Sequence, residues 1–250
     1  MSSTTFGTVV RTGNTSVVCT ITAELAEPTV EKPDEGYIGI LSLVALSNFP
    51  TVPNVVLSPL SNPKHRPGPP SDQAQALSAR LLQLLIATSP NLATSLCIER
   101  GKCVWTLYID VQFLNYDGNA LESAWLALTA ALSRVQLPPI VFNPDLNRGV
   151  IVDGQPVKIE FQGENTFACS FVGIDEGKYL ICDPDEEEES LATESVCVVI
   201  DQEWRLRYLY KGGIGFTRDK LKRCIQLAGE RAGYLSFVVE QSASKVQISE

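Results

Sequence analysis

The 250 residues are 44% hydrophobic and 20% charged, the profile of an ordinary globular protein long enough to bury a sizeable core. The most apolar run, Gly39 to Phe49, is about half the ~20 residues a membrane-spanning helix needs, and no membrane contact is expected. A formal net charge of −9 argues against a free-standing nucleic-acid binder, which draws most of its affinity from Lys and Arg on phosphates. The start, Met-Ser-Ser-Thr-Thr, lacks the basic and apolar regions of a secretory signal. The seven cysteines form no CxxC pair, and the single histidine, His65, has no neighbouring ligand type. They read as reduced core thiols of a cytosolic or nuclear protein, with no zinc site and no other metal or cofactor.

The chain opens with two strand-like runs, Thr8 to Arg11 and Ser16 to Ala23, joined at Gly13-Asn14. An acidic, Pro-containing loop (Glu27 to Gly36) and a Pro/Ser loop (Pro50 to Pro70) follow. Ser71 is the expected N-cap of a helix to about Ala87, with Leu77, Leu81, Leu84 and Leu85 on its buried face. Val104 to Leu114 reads as a long strand presenting Trp105, Leu107, Ile109, Val111 and Phe113 on one side. After the turn Asn115 to Asn119, a second helix runs to about Arg134, and Trp125, spaced with Leu121 and Leu128, belongs to its core stripe. Pro138-Pro139 ends that helix and marks the boundary between a first lobe, 1–137, and a second, 138–250. The second half is expected to hold strands at Pro156–Phe161, Thr166–Ile174, Lys178–Cys182, Ser195–Ile200 and Arg205–Tyr210, then a helix from Thr217 towards Glu240. The fold class is therefore α+β in two lobes.

Four stretches together resemble the RNase PH superfamily: Thr12 to Cys19; Val55 to Leu60 with Pro67 to Pro70; the strand and turn Leu107 to Asn119; and Asp183 to Thr193. Within it, the turn Asn115-Tyr-Asp-Gly-Asn119 and the run Glu-Glu-Glu-Ser-Leu-Ala-Thr193 are similar to the ring-subunit branch of the eukaryotic RNA exosome. The resemblance implies an RNase PH-like (ribosomal protein S5 domain 2-like) fold, two β-α lobes with mixed sheets. It implies a hetero-hexameric ring with other RNase PH-like subunits, RNA-binding caps and a separate hydrolytic nuclease. It also places the chain in nucleus, nucleolus and cytoplasm, where such rings support rRNA maturation and mRNA and non-coding RNA turnover.

Active members cut RNA from its 3′ end with phosphate as nucleophile. That requires a guanidinium fork with hydroxyl or backbone donors at a helix start, and a carboxylate for a metal or the leaving oxygen. Here Ala120 falls where the hydroxyl belongs, Leu121 where the arginine belongs, and Glu122 at the helix start would repel phosphate by roughly 1–4 kcal/mol. Thr193 and Ser195 fall where an Asp-x-Asp pair belongs, and a register shift of one would substitute Glu194. A non-catalytic structural subunit is expected, with an active phosphorolytic 3′-5′ exoribonuclease, or an interaction module outside the exosome, as the alternatives.

Lys64, His65 and Arg66 read as a solvated loop tip or as an RNA contact, whereas Gly212 to Gly215 reads as a plain tight turn into the helix or, with Lys211, Arg218 and Lys220 nearby, as an RNA-backbone contact. Asp185 to Glu189 reads as a solvated acidic loop rather than a partner patch or metal cage, and Lys220, Lys222 and Arg223 as the wet face of a helix. Against the family pattern the chain lacks N-terminal residues, and Gly39 to Thr51 is an uncharged insertion of thirteen positions. Both are expected to reflect a missed first exon and an unspliced intron.

Overall fold

Gly13, with φ +58°, turns the first hairpin, β1 (Thr4–Thr12) against β2 (Thr15–Ala26). The computed structural model describes residues 4–39, 53–66, 68–163, 165–175, 178–213 and 216–246. Of the insertion, Gly39 is described and the rest lies outside the described residues, as do Pro67, Ile214 and Gly215.

Alternation along β2 buries Val17, Cys19, Ile21 and Ala23 completely. The short strands β3 (Tyr37–Ile38) and β4 (Asn54–Leu57) lead to α1 (Asp72–Thr88), α2 (Leu92–Ser95), β5 (Cys97–Glu99) and β6 (Cys103–Asn115). β6 runs antiparallel to β2 and β5 and parallel to β3 and β4, so the six-stranded sheet is mixed. Ser71 caps α1, its side chain accepting from the Ala74 N–H at 3.3 Å.

α3 (Ala120–Leu132) is buried along almost its whole length. It starts from Asn119, a non-glycine in the left-handed region (φ +46°), whose side chain makes no capping bond. Four short strands follow: β7 (Gln136–Leu137), β8 (Ile140–Asn143), β9 (Arg148–Ile151) and β10 (Val157–Lys158). β8 pairs with β9, and β10 with β7. The expected strand Pro156–Phe161 shrinks to β10 because its partner offers two residues before Pro138, which has no N–H to donate.

The second lobe holds β11 (Thr166–Ile174), β12 (Tyr179–Cys182), α4 (Glu186–Leu191), β13 (Glu194–Asp201), β14 (Leu206–Gly213) and α5 (Arg218–Val246). Its sheet, in the order β12-β11-β13-β14, is antiparallel at every pairing, unlike the mixed sheet of the first lobe. The acidic run expected as a loop is instead helix α4. It is nucleated by a capping box in which the Asp185 carboxylate accepts from the Glu188 N–H at 2.8 Å and the Glu188 carboxylate accepts from the Asp185 N–H at 3.0 Å.

One hydrophobic cluster crosses both lobes, taking Val17, Leu84 and Trp125 with Ala168, Cys197 and Val199. The Trp125 indole N–H donates across to the Thr166 carbonyl at 3.2 Å. On the far side of the second sheet, Cys224 and Ala228 of α5 pack on Cys169, Phe171, Val196 and Val198. All seven cysteines are unbridged. Among the described residues no helix is long and apolar enough to cross a membrane.

Candidate functional site

A cleft of about 360 Å³ lies where the second-lobe sheet faces α1 and the start of α3, with the end of α4 beside it. Strand alternation decides what the sheet offers. On β13, Val196 and Val198 turn towards α5 while Cys197 and Val199 turn towards the first lobe, so Ser195 shares the cleft side. Ser195 pairs with Gly212 on β14, and a Cβ at Gly212 would press on the Ser195 hydroxyl.

Four of the expected positions come together here: Ala120 and Leu121 on the helical wall, Thr193 and Ser195 on the wall formed by the start of β13. An alanine and a leucine on one wall therefore stand across the cleft from a threonine and a serine, the Thr193 hydroxyl donating to the Gly173 carbonyl at 3.4 Å. Glu194, the alternative in the register, also borders the cleft. Its alternation groups it with Val196 on the α5 side, and it is buried with one carboxylate oxygen unpartnered.

Glu122 does not meet the cleft as the sequence suggested. It is buried, and its carboxylate accepts from Arg231 Nε at 2.7 Å and from Asn119 Nδ2 at 2.8 Å. Asp183 joins the same network, accepting from Asn119 Nδ2 at 2.5 Å and Arg231 Nη2 at 3.2 Å. Burial pushes the Glu122 carboxyl up, and the Arg231 charge pulls it back. The reason for the misreading is geometric: one residue after Leu121 on a helix is a turn of ~100° away, towards α5 rather than the cleft.

The carboxylate that does face the cleft at the α3 start is Glu189 of α4. Its Oε1 accepts from the Asn119 backbone N–H at 3.0 Å and its Oε2 from the Tyr116 hydroxyl at 3.3 Å. The Gln73 amide in turn donates to Tyr116 Oη at 2.6 Å. Burial raises the Glu189 carboxyl above the ordinary carboxylate range, against the opposing pull of the Asn119 N–H.

Arg80, on α1, is the cation among the described lining residues. It donates to Tyr210 Oη at 2.9 Å and its guanidinium carbon lies 4.1 Å from the Tyr210 ring centroid. Arg80 and Tyr210 were not singled out from sequence, Tyr116 entered only as part of the turn before α3, and Glu189 only as the end of the acidic run. Arg80 had a signal, since it sits between Leu77 and Leu84 at helical spacing, an unusual place for a charge.

The basic triplet is only partly available for RNA. Lys64 Nζ lies 2.9 Å from Glu186 Oε1, and Asn62 Nδ2 donates to the other oxygen of Glu186 at 2.7 Å. The hydrogen bond from Lys64 holds the Glu186 carboxyl below its ordinary range. His65 stands edge-on to Tyr116, with ring centroids 5.3 Å apart, and Arg66 is exposed. Lys211 and Arg218 are exposed as well, and the alternation that aims Tyr210 and Gly212 at the cleft turns Lys211 away from it. No group of three or more His, Cys, Asp or Glu side chains among the described residues is arranged to hold a metal ion.

Two family models match the chain: the 3′ exoribonuclease family domain 1 over residues 7–138 and its domain 2 over residues 165–231. The chain is 38% identical over 223 residues to the exosome complex component rrp43 of Schizosaccharomyces pombe, covering 88% of this chain and 76% of that one. It is 28% identical over 239 residues to the exosome complex component Rrp42 of Methanothermobacter thermautotrophicus, covering 93% and 80%. Among solved structures, a chain of the Archaeoglobus fulgidus exosome with RNA bound to the active site superposes with a TM-score of 0.69 at 23% identity, covering 94% of this chain and 87% of that one.

Proposed function

The chain belongs to the 3′ exoribonuclease, or RNase PH, family, and from that premise we propose that it is a non-catalytic subunit of an exosome ring. The observation that carries this reading is the pairing of walls in the cleft. Ala120 and Leu121 at the α3 start share the cleft with Thr193 and Ser195. Phosphorolysis asks for a doubly charged phosphate held against a carboxylate or metal beside the leaving oxygen. The guanidinium of Arg80 is already engaged with Tyr210, and Glu189 presents negative charge where the nucleophile would have to sit.

On this reading the lobes divide near residues 137 and 138, and the outer faces pack against RNase PH-like neighbours, RNA-binding caps and a hydrolytic nuclease in nucleus, nucleolus and cytoplasm. RNA passes as a weakly held strand, with Arg66, Lys211 and Arg218 the candidate backbone contacts and Lys64 and His65 tied to α4 and Tyr116. The test is to incubate the purified chain with RNA and phosphate, and separately to recover it from cells with its partners. No nucleoside diphosphate and co-recovery of ring subunits are expected. Diphosphate release that Ser195→Ala abolishes would restore the enzyme reading, and recovery without ring subunits would favour an interaction module.

A further inference from the structure

We propose that α4 is a built-in anion mimic: Glu189 occupies the positive end of α3, so that free phosphate and RNA phosphates are kept out of the cleft by the chain's own carboxylate. The inference deepens the non-catalytic reading above and rests on it.

The start of α3 is an unusually needy helix terminus. A helix N-terminus carries about half a positive charge and N–H groups without intrahelical acceptors, and Asn119 supplies no side-chain cap because its amide is turned to Glu122 and Asp183. The N–H of Asn119 is instead satisfied by Glu189, which arrives from another element 70 residues away in the chain. A carboxylate placed there offers the oxygen geometry and the charge that a phosphate oxygen would.

The delivery of Glu189 is itself built. α4 is held in shape by its capping box, and it is seated on the loop that leads into α3. Gly118 has φ +79°, and a Cβ there would collide with the Pro184 carbonyl and the backbone of Asp185 and Glu186. At the other end of the same turn Glu186 binds Lys64 and Asn62. One short helix thus satisfies two features beside the cleft that would attract an anion, the α3 terminus and the lysine of the 58–66 loop, while the third, Arg80, is engaged by Tyr210. Glu187, on the same helix, is exposed and takes part in neither contact, which makes it the natural control.

The experiment is a titration of the full chain with inorganic phosphate, at constant ionic strength set with chloride, following the backbone amide resonances of Asn119, Ala120 and Leu121. The wild-type chain and Glu187→Ala should show no saturable shift. Glu189→Ala should gain one, together with a phosphate-dependent rise in melting temperature. Glu189→Gln keeps the size of the side chain, guards against loss of fold, and should show the same response more weakly. Saturable binding to the wild-type chain, or a folded pair of Glu189 variants without any response, would overturn the mimic. Nucleoside diphosphate release by the wild-type chain would instead overturn the non-catalytic reading, so the two failures are distinguishable.

Discussion

Two carboxylates meet the first turn of α3 from opposite sides, and they are neutralised in different ways. Glu122 faces α5 and is matched by the Arg231 guanidinium at 2.7 Å, with Asn119 and Asp183 completing the network. Glu189 faces the cleft and is matched by hydrogen bonds from the Asn119 N–H and the Tyr116 hydroxyl, with no cation recorded on it among the described residues. Both arrangements join the lobes, because α3 and Tyr116 belong to one half and Arg231 and α4 to the other, but the first lies between packed elements. The second fills a site. The same helix terminus thus shows how a fold can keep one buried charge for cohesion and another to close a cleft.

The comparison breaks first at Arg231. Arg231→Met leaves Glu122 buried without its cation, and a loss of about 3–5 kcal/mol is expected in urea unfolding. Adding Glu122→Gln should return most of it, since two neutral groups of similar volume remove the uncompensated charge. A single-variant loss below about 1 kcal/mol, the range of an exposed pair, would mean that the α5 side is no more protected than the surface. Gly118→Ala strikes the cleft side, where a side chain must be accommodated at positive φ and under the α4 backbone. A cost of about 1–3 kcal/mol is expected, with faster amide exchange in 186–191 while α5 stays protected. Uniform loss of protection in both helices would show that α4 is not a separately seated element.

The contrast between the two sides also marks what the sequence could reveal. The opening hairpin, α1 with its Ser71 cap and the alternating core of β6 were legible because period and capping are local properties. The meeting of Ala120 and Leu121 with Thr193 and Ser195 was reachable through family resemblance, since residues more than 70 positions apart have no local signature. Glu122 and Glu189 were both misplaced, one read as facing the cleft and the other as solvated loop. Their true roles depend on which way a helix is rotated and on whether Asp185 to Glu189 folds at all. Asp185 followed three residues later by Glu188 is a capping-box pattern, and it was the available sign that the acidic run is a helix.

The smallest effect is the sharpest test of the cleft side, because its sign is fixed. Burial holds the Glu189 carboxyl above its ordinary value of 4.5, so the folded chain binds this proton more tightly than the unfolded chain does. Stability from this group is therefore present below the unfolded value and is lost as pH rises through the raised folded value. Glu122 is raised as well and adds the same sign. Asp201 is opposite: burial works upwards, but bonds from the backbone and side chain of Arg205 and from Arg207 hold it low, so its contribution fades only below the ordinary Asp range. Subtracting Glu189→Gln from the wild-type chain isolates the one group. The variant should be the more stable at neutral pH, with the gap narrowing as the buffer is acidified through the raised Glu189 value. Protonation also discharges the mimic, so the wild-type chain should begin to show the phosphate-dependent amide shift over the same interval. A gap that widens on acidification would mean that Glu189 is held as an anion by its N–H partner more strongly than burial opposes it.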